Sequence, residues 1–232
     1  LFCESYLPCL GRFVKGGLQK GKWLIFYDQN QNLYNDDNQF DACLFQLRKF
    51  GAVSFKLSVN CRNTMQIANA NILTTGITGK GKPKVSGLKV EYIQYHDKEE
   101  ELRILYDLLV SLKNNGIDGS DIVILSKYSI EHPDNCLCKN PVTKNAGYLK
   151  TSGKIWQRKK TEVRFSTISG FKGLEANVVI LIDVNGFFDS SLRLLNYVAI
   201  SRAKTLLFIL YDESNEDERQ KMLGVNSQKL LL

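Results

Sequence analysis

Two glycine-rich segments come close to G-x-x-x-x-G-K-[ST], the pattern that binds nucleotide phosphates. Residues 16–22 are followed by Trp23, and residues 76–82 are followed by Pro83. Both therefore lack the Ser or Thr hydroxyl that holds Mg²⁺ in this motif, and the first precedes a predicted strand where the motif should follow one. We conclude that neither segment is a loop able to hold nucleotide phosphates tightly.

A second chemical feature is a basic segment, residues 137–164. It carries eight Lys and Arg residues against one Glu, a net charge of +7, which equals the net charge of the whole chain. The rest of the chain is balanced, with 23 basic and 23 acidic residues. A local basic stripe favours an anionic partner such as nucleic acid. The alternative is a solvated loop that is basic without a function.

The cysteines give little support for a metal site. His132, Cys136 and Cys138 could supply ligands, but their spacing matches no zinc pattern, so we favour an ordinary loop and predict no metal. Six cysteines in 232 residues do not make a disulfide framework.

Composition excludes several classes of protein. With 44% hydrophobic residues and only 4 prolines, the chain is neither disordered nor collagen-like. It shows no leader, and its apolar runs are too short to span a bilayer, so we expect a soluble, cytoplasmic protein without membrane contact.

Apolar runs that suit strands alternate with stretches of helical periodicity. Several of the runs are continuously apolar, which predicts an α/β fold with a parallel sheet covered by helices on both faces. In such sheets ligands bind beyond the carboxyl ends of the strands. The predicted strands lie near residues 23–27, 53–57, 88–95, 122–125, 163–168, 178–182 and 206–211, and the predicted helices near 6–18, 42–49, 64–73, 99–114 and 191–203.

Four segments at the ends of these elements together resemble motifs of the superfamily 1 helicases of the UvrD/Rep type. The third and fourth are the more specific, because K-G-L-E before an apolar strand and V-A-x-S-R-A-K after a helix rarely occur together. The segments are Y-D-Q-N-Q at 27–31 (motif III), N-C-R-N-T at 60–64 (motif IV), T-I-S-G-F-K-G-L-E at 167–175 (motif V) and Y-V-A-I-S-R-A-K at 197–204 (motif VI).

The resemblance implies how the chain is organised. Residues 1–50 would be the tail of a first RecA-like domain. Residues 51–232 would be the second RecA-like domain of a P-loop helicase, with a small basic insertion at about 129–162. The phosphate-binding loop and the acidic motif that holds Mg²⁺ would lie before residue 1. ATP and Mg²⁺ would then be bound mainly by that upstream part, and this chain alone should not hydrolyse ATP.

The resemblance also implies catalytic residues. Arg62 and Arg202 match the two arginines that reach the γ-phosphate, and Gln31 matches a glutamine that senses the γ-phosphate or the attacking water. A guanidinium suits this task because it is always charged and offers several donors in a fixed fork. Taken alone, an arginine at a helix end is more often a surface charge or a carbonyl cap.

Further nucleotide contacts are implied for Glu175, Asp28, Lys172 and Gly173. Glu175 matches a residue near the nucleotide sugar and phosphates. The ordinary alternatives are a cap formed by Asp28 and a salt-bridged turn between Lys172 and Glu175.

Contacts with a single nucleic acid strand are implied by motif V. Thr167 and Ser169 could donate hydrogen bonds to backbone phosphates, which position a strand without reading its sequence. The basic residues that lead into this strand, Arg158, Lys159 and Lys160, could add electrostatic attraction. The implied partner is single-stranded or partly duplex DNA, although RNA fits equally well.

The chain departs from the family pattern at several positions. Ser169 stands where relatives often have histidine, and Cys61 stands where they often have a tyrosine that stacks on adenine. Asp36 and Asp37 replace an aromatic residue and an arginine that face the strand. These departures keep open an alternative function, a nucleic-acid-binding or regulatory ATPase-like protein that retains the fold without separating strands.

Overall fold

The structure is a computed structural model that describes residues 6–27, 37–55, 57–79, 81–138, 140, 142–151 and 159–230. The backbone divides into two compact units, Leu1–Leu57 and Ser58–Leu232. The assignment of these parts to two RecA-like domains, with a boundary at residue 50, stays a prediction.

The described part of the first unit contains three helices: α1 (Leu7–Phe13), α2 (Gly17–Lys20) and α3 (Asp37–Lys49). Leu7, Leu18, Cys43 and Leu47 form its buried core. The predicted helix over 6–18 is interrupted: α1 ends at Phe13 because Val14 is extended, and α2 begins after Gly16, whose φ of 87° lies in the left-handed region that glycine adopts at little cost. The predicted helix over 42–49 is confirmed and begins five residues earlier.

The strands predicted near 23–27 and 53–57 are wrong for the residues that the structure describes there, which are irregular. Trp23 instead donates a hydrogen bond from Nε1 to the Leu18 carbonyl at 2.9 Å, and Trp23 and Ile25 pack against the helical core. A strand forms only where a partner strand accepts its hydrogen bonds, and the described part of this unit contains none. An apolar run therefore packs on helices here.

The second unit is built on a six-stranded sheet in which every pairing is parallel. This confirms the predicted α/β class. The order across the sheet is β3 (Glu91–Tyr95), β8 (Ala203–Asp212), β7 (Ala176–Val184), β4 (Ile122–Ser126), β6 (Glu162–Thr167) and β5 (Leu149–Thr151). A separate two-residue pair joins β1 (Val59–Asn60) to β2 (Lys82–Pro83).

Among the residues described in the second unit, five α-helices accompany this sheet: α4 (Met65–Thr75), α5 (Lys98–Asn114), α6 (Val142–Asn145), α7 (Ser190–Ile200) and α8 (Glu216–Ser227). Three of them begin at side-chain caps, which explains why their positions were predictable. Thr64 caps α4, Asp97 caps α5 and Asp189 caps α7, each by accepting a backbone N–H of the first turn. The described helices include none that is long and apolar enough to cross a membrane.

The sheet is buried on both faces. On one face Leu105, Leu109 and Leu112 of α5 pack against alternate residues of β4 and β7, such as Ile124 and Ile180. The intervening residues of β4 and β7 are equally buried, and α7 packs against β7 and β8. The continuous apolar runs therefore reflect strands with helices on both sides.

The connection from β6 to β7, residues 168–175, is called the crossover below. Because β4 lies between these parallel strands, the crossover must run from the carboxyl end of β6 to the amino end of β7. Ile168 and Phe171 are buried and fix it to the sheet, and the Ile168 N–H donates to the Ser126 carbonyl at 2.9 Å. Gly173, with φ of 86°, supplies the left-handed turn before β7 begins.

Candidate functional site

Three segments that are distant in sequence meet near the amino ends of β7 and β8. Arg62 lies just before α4, Glu175 ends the crossover, and Lys204 is the second residue of β8. Arg62 Nε donates to Glu175 Oε2 at 2.8 Å, and Lys204 Nζ lies 3.4 Å from Glu175 Oε1. We call these three residues the Arg62–Glu175–Lys204 cluster.

The loop that carries Arg62 is held in place by two asparagines. The Asn60 side-chain oxygen accepts hydrogen bonds from the backbone N–H groups of Arg62 at 3.0 Å and of Asn63 at 3.1 Å. The Asn63 amide donates to the carbonyls of Ser201 at 3.3 Å and Ala203 at 2.7 Å. The sequence motif at 60–64 is thus bound directly to the motif at 197–204.

The cluster is accessible and carries a net positive charge. The side chains of Arg62 and Glu175 are 37% and 43% exposed. The hydrogen bond from Arg62, with a smaller contribution from Lys204, lowers the pKa of Glu175, so this carboxylate is ionised at neutral pH. Exposed ion pairs typically contribute about 0–1 kcal/mol to stability. Two cations around one carboxylate are better suited to attracting an anion than to stabilising the fold.

Arg202 is placed differently from Arg62, because its side chain is only 1% exposed. Its Nε donates to the Val198 carbonyl at 3.0 Å, Nη1 to the Leu174 carbonyl at 3.2 Å, and Nη2 to Ser201 Oγ at 2.9 Å. Arg202 therefore ties the end of α7 to the crossover. Its predicted contact with a γ-phosphate stays a prediction and would require the guanidinium to leave these carbonyls.

The other predicted nucleotide contacts are only partly described. Lys172 and Gly173 lie exposed on the crossover. Gln31 and Asp28 fall outside the described residues. The structure brings together Arg62 and Glu175 from the predicted set and adds Lys204, which sequence reasoning missed although it stands two positions after Arg202 in the same motif.

The predicted strand-binding residues lie at opposite ends of β6. Thr167 is the last residue of β6, and its Oγ1 accepts the Gly170 N–H at 3.0 Å. Ser169 is exposed beside it. Lys159 and Lys160 are exposed before the strand begins, where Lys160 pairs with Asp118 at 3.2 Å. A strand of six residues separates the two groups by about 20 Å. They cannot contact the same phosphate, and Arg158 lies outside the described residues.

A buried cluster near the carboxyl ends of β4 and β7 contains Glu101, Cys136 and Asp183, whose potential metal-ligand atoms lie within 4.8 Å of one another. Asp183 accepts hydrogen bonds from the Ser126 hydroxyl and, at 3.0 Å, from the Cys136 N–H. Its own N–H donates to Glu101 Oε1 at 2.7 Å. These bonds already satisfy the group, and no ion is needed to explain its burial.

The alternative ligand set considered from the sequence is not assembled. Across the described residues, the group of potential metal-ligand atoms that lie close together consists of Glu101, Cys136 and Asp183. Cys136 therefore lies with Glu101 and Asp183 and not with His132 and Cys138. The His132 ring stacks on Tyr128 with centroids 4.5 Å apart, and Cys138 Sγ donates to the Glu131 carbonyl at 3.5 Å. Ordinary loop packing therefore accounts for these residues.

Burial, reinforced by the charge of Asp183, raises the pKa of Glu101 to about 8 from its ordinary value of 4.5. Below pH 4.5 the Glu101 carboxyl is protonated in both the folded and the unfolded chain, so Glu101 does not reduce the free energy of unfolding there. Above pH 4.5 the unfolded chain releases the proton while the folded chain keeps it, so stability falls until about pH 8. Relative to Glu101→Gln, we expect the unfolding free energy of the wild type to fall by up to about 1.4 kcal/mol per pH unit in this window.

Urea unfolding of both proteins at pH 5, 6, 7 and 8 measures this difference. Glu99→Gln, at an exposed position in the same first turn of α5, is the matched control and should leave the pH dependence of the wild type unchanged. A constant difference between wild type and Glu101→Gln across the four pH values would show that Glu101 titrates normally.

Comparison with known proteins gives one family match and a similar solved structure. Residues 162–210 match the family model of the UvrD-like helicase C-terminal domain, and this segment runs from β6 to β8 and includes Glu175, Arg202 and Lys204. A similar solved structure is the C-terminal domain of a possible DNA helicase from Lactobacillus plantarum WCFS1. It is 17% identical, its TM-score is 0.49, and the match covers 66% of this chain and 88% of that one. No curated protein matches this chain.

Proposed function

We propose, from the match of residues 162–210 to the UvrD-like helicase C-terminal domain, that this chain is the C-terminal motor-domain part of an ATP-dependent superfamily 1 DNA helicase or translocase. The observation that carries the proposal is the meeting of Arg62, Glu175 and Lys204 from three of the family-like motifs. Such a domain supplies cations to a nucleotide that is held by another domain, and it moves along a nucleic acid strand as the two domains open and close.

In this proposal, Arg62 is the residue that contacts the γ-phosphate of ATP. Transfer of the γ-phosphoryl group to water develops charge on the phosphoryl oxygens, and a positioned guanidinium stabilises that charge. Arg62 is accessible, and Asn60 and Asn63 fix its loop. Near it the described residues offer two cations and one carboxylate, which suits a polyphosphate better than a resident metal ion. Mg²⁺ would accompany ATP and be held by residues of a longer protein.

The proposed contacts with a nucleic acid strand lie at the opposite edge of the sheet, at the carboxyl ends of the β-strands. Thr167 and Ser169 lie at the carboxyl end of β6, and the crossover that begins there ends at Glu175 in the Arg62 cluster. One continuous segment of eight residues therefore joins the proposed strand contacts to the proposed nucleotide contacts. Movement of either end would be transmitted through the buried anchors Ile168 and Phe171.

The direct test uses the full-length protein that contains this chain. A partial DNA duplex with a single-stranded tail is incubated with ATP or ADP, and strand separation and ATP hydrolysis are measured together. We expect DNA to stimulate ATP hydrolysis, and we expect the duplex to be separated with ATP but not with ADP. Absence of both would contradict the proposal, and so would helicase-like ATP turnover by the isolated chain.

A second candidate function is a nucleic-acid-stimulated or regulatory ATPase that does not separate strands. The departures at Cys61 and Ser169 favour it, because both residues are exposed and neither offers the aromatic ring or the imidazole that relatives often have at these positions. Hydrolysis without strand separation in the same experiment would select this candidate. A parallel RNA duplex would identify the preferred nucleic acid.

The basic segment provides a separate prediction. Replacing Arg158, Lys159 and Lys160 by glutamine in the full-length protein should weaken single-strand binding and reduce the slope of log affinity against log salt by about 2, because each phosphate contact contributes about 0.7. Fluorescence anisotropy at several salt concentrations measures both quantities. The affinity for ATP should be nearly unchanged, and an unaltered salt slope would remove these residues from the interface.

A further inference from the structure

Glu175 occupies the position that an external anion would take between Arg62 and Lys204. One carboxylate oxygen accepts from Arg62 Nε at 2.8 Å, and the other lies 3.4 Å from Lys204 Nζ. A phosphate also presents two oxygens to two cations at such distances. The carboxylate is thus an internal counterpart of a phosphate group.

Arg62 retains donors for a second anion. Its side-chain hydrogen bond within the described part of the chain runs from Nε alone, and its Nη1 and Nη2 groups donate to no described residue. These are the groups with which a guanidinium binds a phosphate in a bidentate manner. Lys204, whose side chain is 43% exposed, likewise has Glu175 as its ionic partner among the described residues.

The backbone that carries the two cations is held by hydrogen bonds, whereas the carboxylate lies on an exposed side chain. Asn60 and Asn63 fix the Arg62 loop to the start of β8, where Lys204 also lies. Glu175 instead follows Gly173 and precedes the first residue of β7, and its side chain is exposed. An exposed ion pair is weak, so a more highly charged anion can replace the carboxylate.

We propose that Lys204 is a phosphate-binding residue beside Arg62 and that Glu175 occupies their shared anion site until a polyphosphate displaces it. This inference rests on the proposed function and deepens it, because it names a second cation and an internal competitor for the phosphate. Glu175 then acts as a positioning residue that holds Arg62 ready and releases it when the nucleotide arrives. Lys204 then joins Arg62 on the phosphate.

The test measures binding of inorganic tripolyphosphate to the 232-residue chain. The NMR signal of the Arg62 Nε–H, assigned by its loss in Arg62→Lys, reports this site alone, so binding elsewhere on the basic segment does not interfere. We expect Glu175→Gln to bind tripolyphosphate about fivefold more tightly than the wild type at low salt, and Lys204→Gln about fivefold more weakly.

Matched controls are available in exposed ion pairs elsewhere in the same unit. Glu100→Gln removes a carboxylate that pairs with Arg103 at 2.8 Å, and Lys98→Gln removes a lysine that lies 3.4 Å from Asp134. Both should leave the affinity at Arg62 unchanged. All four altered residues lie on the surface or at its edge, and thermal unfolding checks that each variant folds.

Each outcome decides part of the inference. Equal or weaker binding in Glu175→Gln would show that Glu175 does not compete with the ligand, and unchanged binding in Lys204→Gln would remove Lys204 from the site. Absence of any tripolyphosphate effect on the Arg62 signal would overturn the inference entirely. The proposed function is tested separately by ATP-dependent strand separation, so failure of one can be distinguished from failure of the other.

Discussion

Replacing Arg62 by alanine in the full-length protein should lower the turnover number for ATP hydrolysis by about 10³-fold while strand binding is retained. Arginines that stabilise a transferring phosphoryl group typically contribute about 10³ to 10⁵ in rate, and we take the lower figure because Lys204 remains nearby. Arg62 is about one-third exposed and forms a surface ion pair, so its loss should cost little stability. The turnover number is measured at saturating ATP and DNA.

Arg103→Ala is the matched control for Arg62→Ala. Arg103 is also an exposed arginine paired with a glutamate at 2.8 Å, but it lies on α5 and outside the cluster. It should hydrolyse ATP at the wild-type rate. Arg62→Lys keeps the charge without the planar fork and should fall between the two. Equal rates for Arg62→Ala and Arg103→Ala would exclude Arg62 from the reaction.

Arg202→Ala should destabilise the second unit by about 3–5 kcal/mol. The substitution removes three hydrogen bonds made by a charged group that is itself buried, two of them to the carbonyls of Val198 and Leu174. It also creates a cavity where a large side chain was packed. The midpoint of urea unfolding and its slope, measured on the 232-residue chain, give the change in free energy.

This second prediction separates two explanations for any loss of activity in Arg202→Ala. If the residue mainly ties α7 to the crossover, stability and activity will fall together. Arg62→Ala provides the comparison, because its expected stability loss is below about 1 kcal/mol. An Arg202→Ala protein as stable as the wild type but inactive would instead mean that the guanidinium leaves its carbonyls to act on the nucleotide.

The sheet of the second unit was largely predictable because its strands are buried on both faces. Such strands are apolar along most of their length, and the runs at 122–125, 178–182 and 206–211 all became central strands. Thr64 and Asp97 also mark helix starts in the sequence, because a helix cap depends only on hydrogen bonds to residues nearby in the chain.

Sequence patterns failed where an element depends on a distant partner. The short strand β5 exists because β6 offers it a free edge, and β1 exists because β2 lies beside it. Neither has enough apolar residues to be recognised alone. The apolar runs at 23–27 and 53–57 do not form strands in their described residues, because the described part of the first unit contains no strand with which they could pair. Helix α8, in a stretch for which no element was predicted, packs against α4.

The motifs identified Arg62 and Glu175 as candidates but not Lys204, and the family model confirms the resemblance over residues 162–210. Residue type and spacing identify such groups because the chemistry requires a guanidinium and a glycine turn in a set order. Only tertiary packing decided which cations are accessible: it buried Arg202 among carbonyls, left Arg62 exposed, and brought Lys204 to Glu175. The Arg62–Glu175 pair joins residues 113 positions apart in the chain, and no local pattern encodes such a contact.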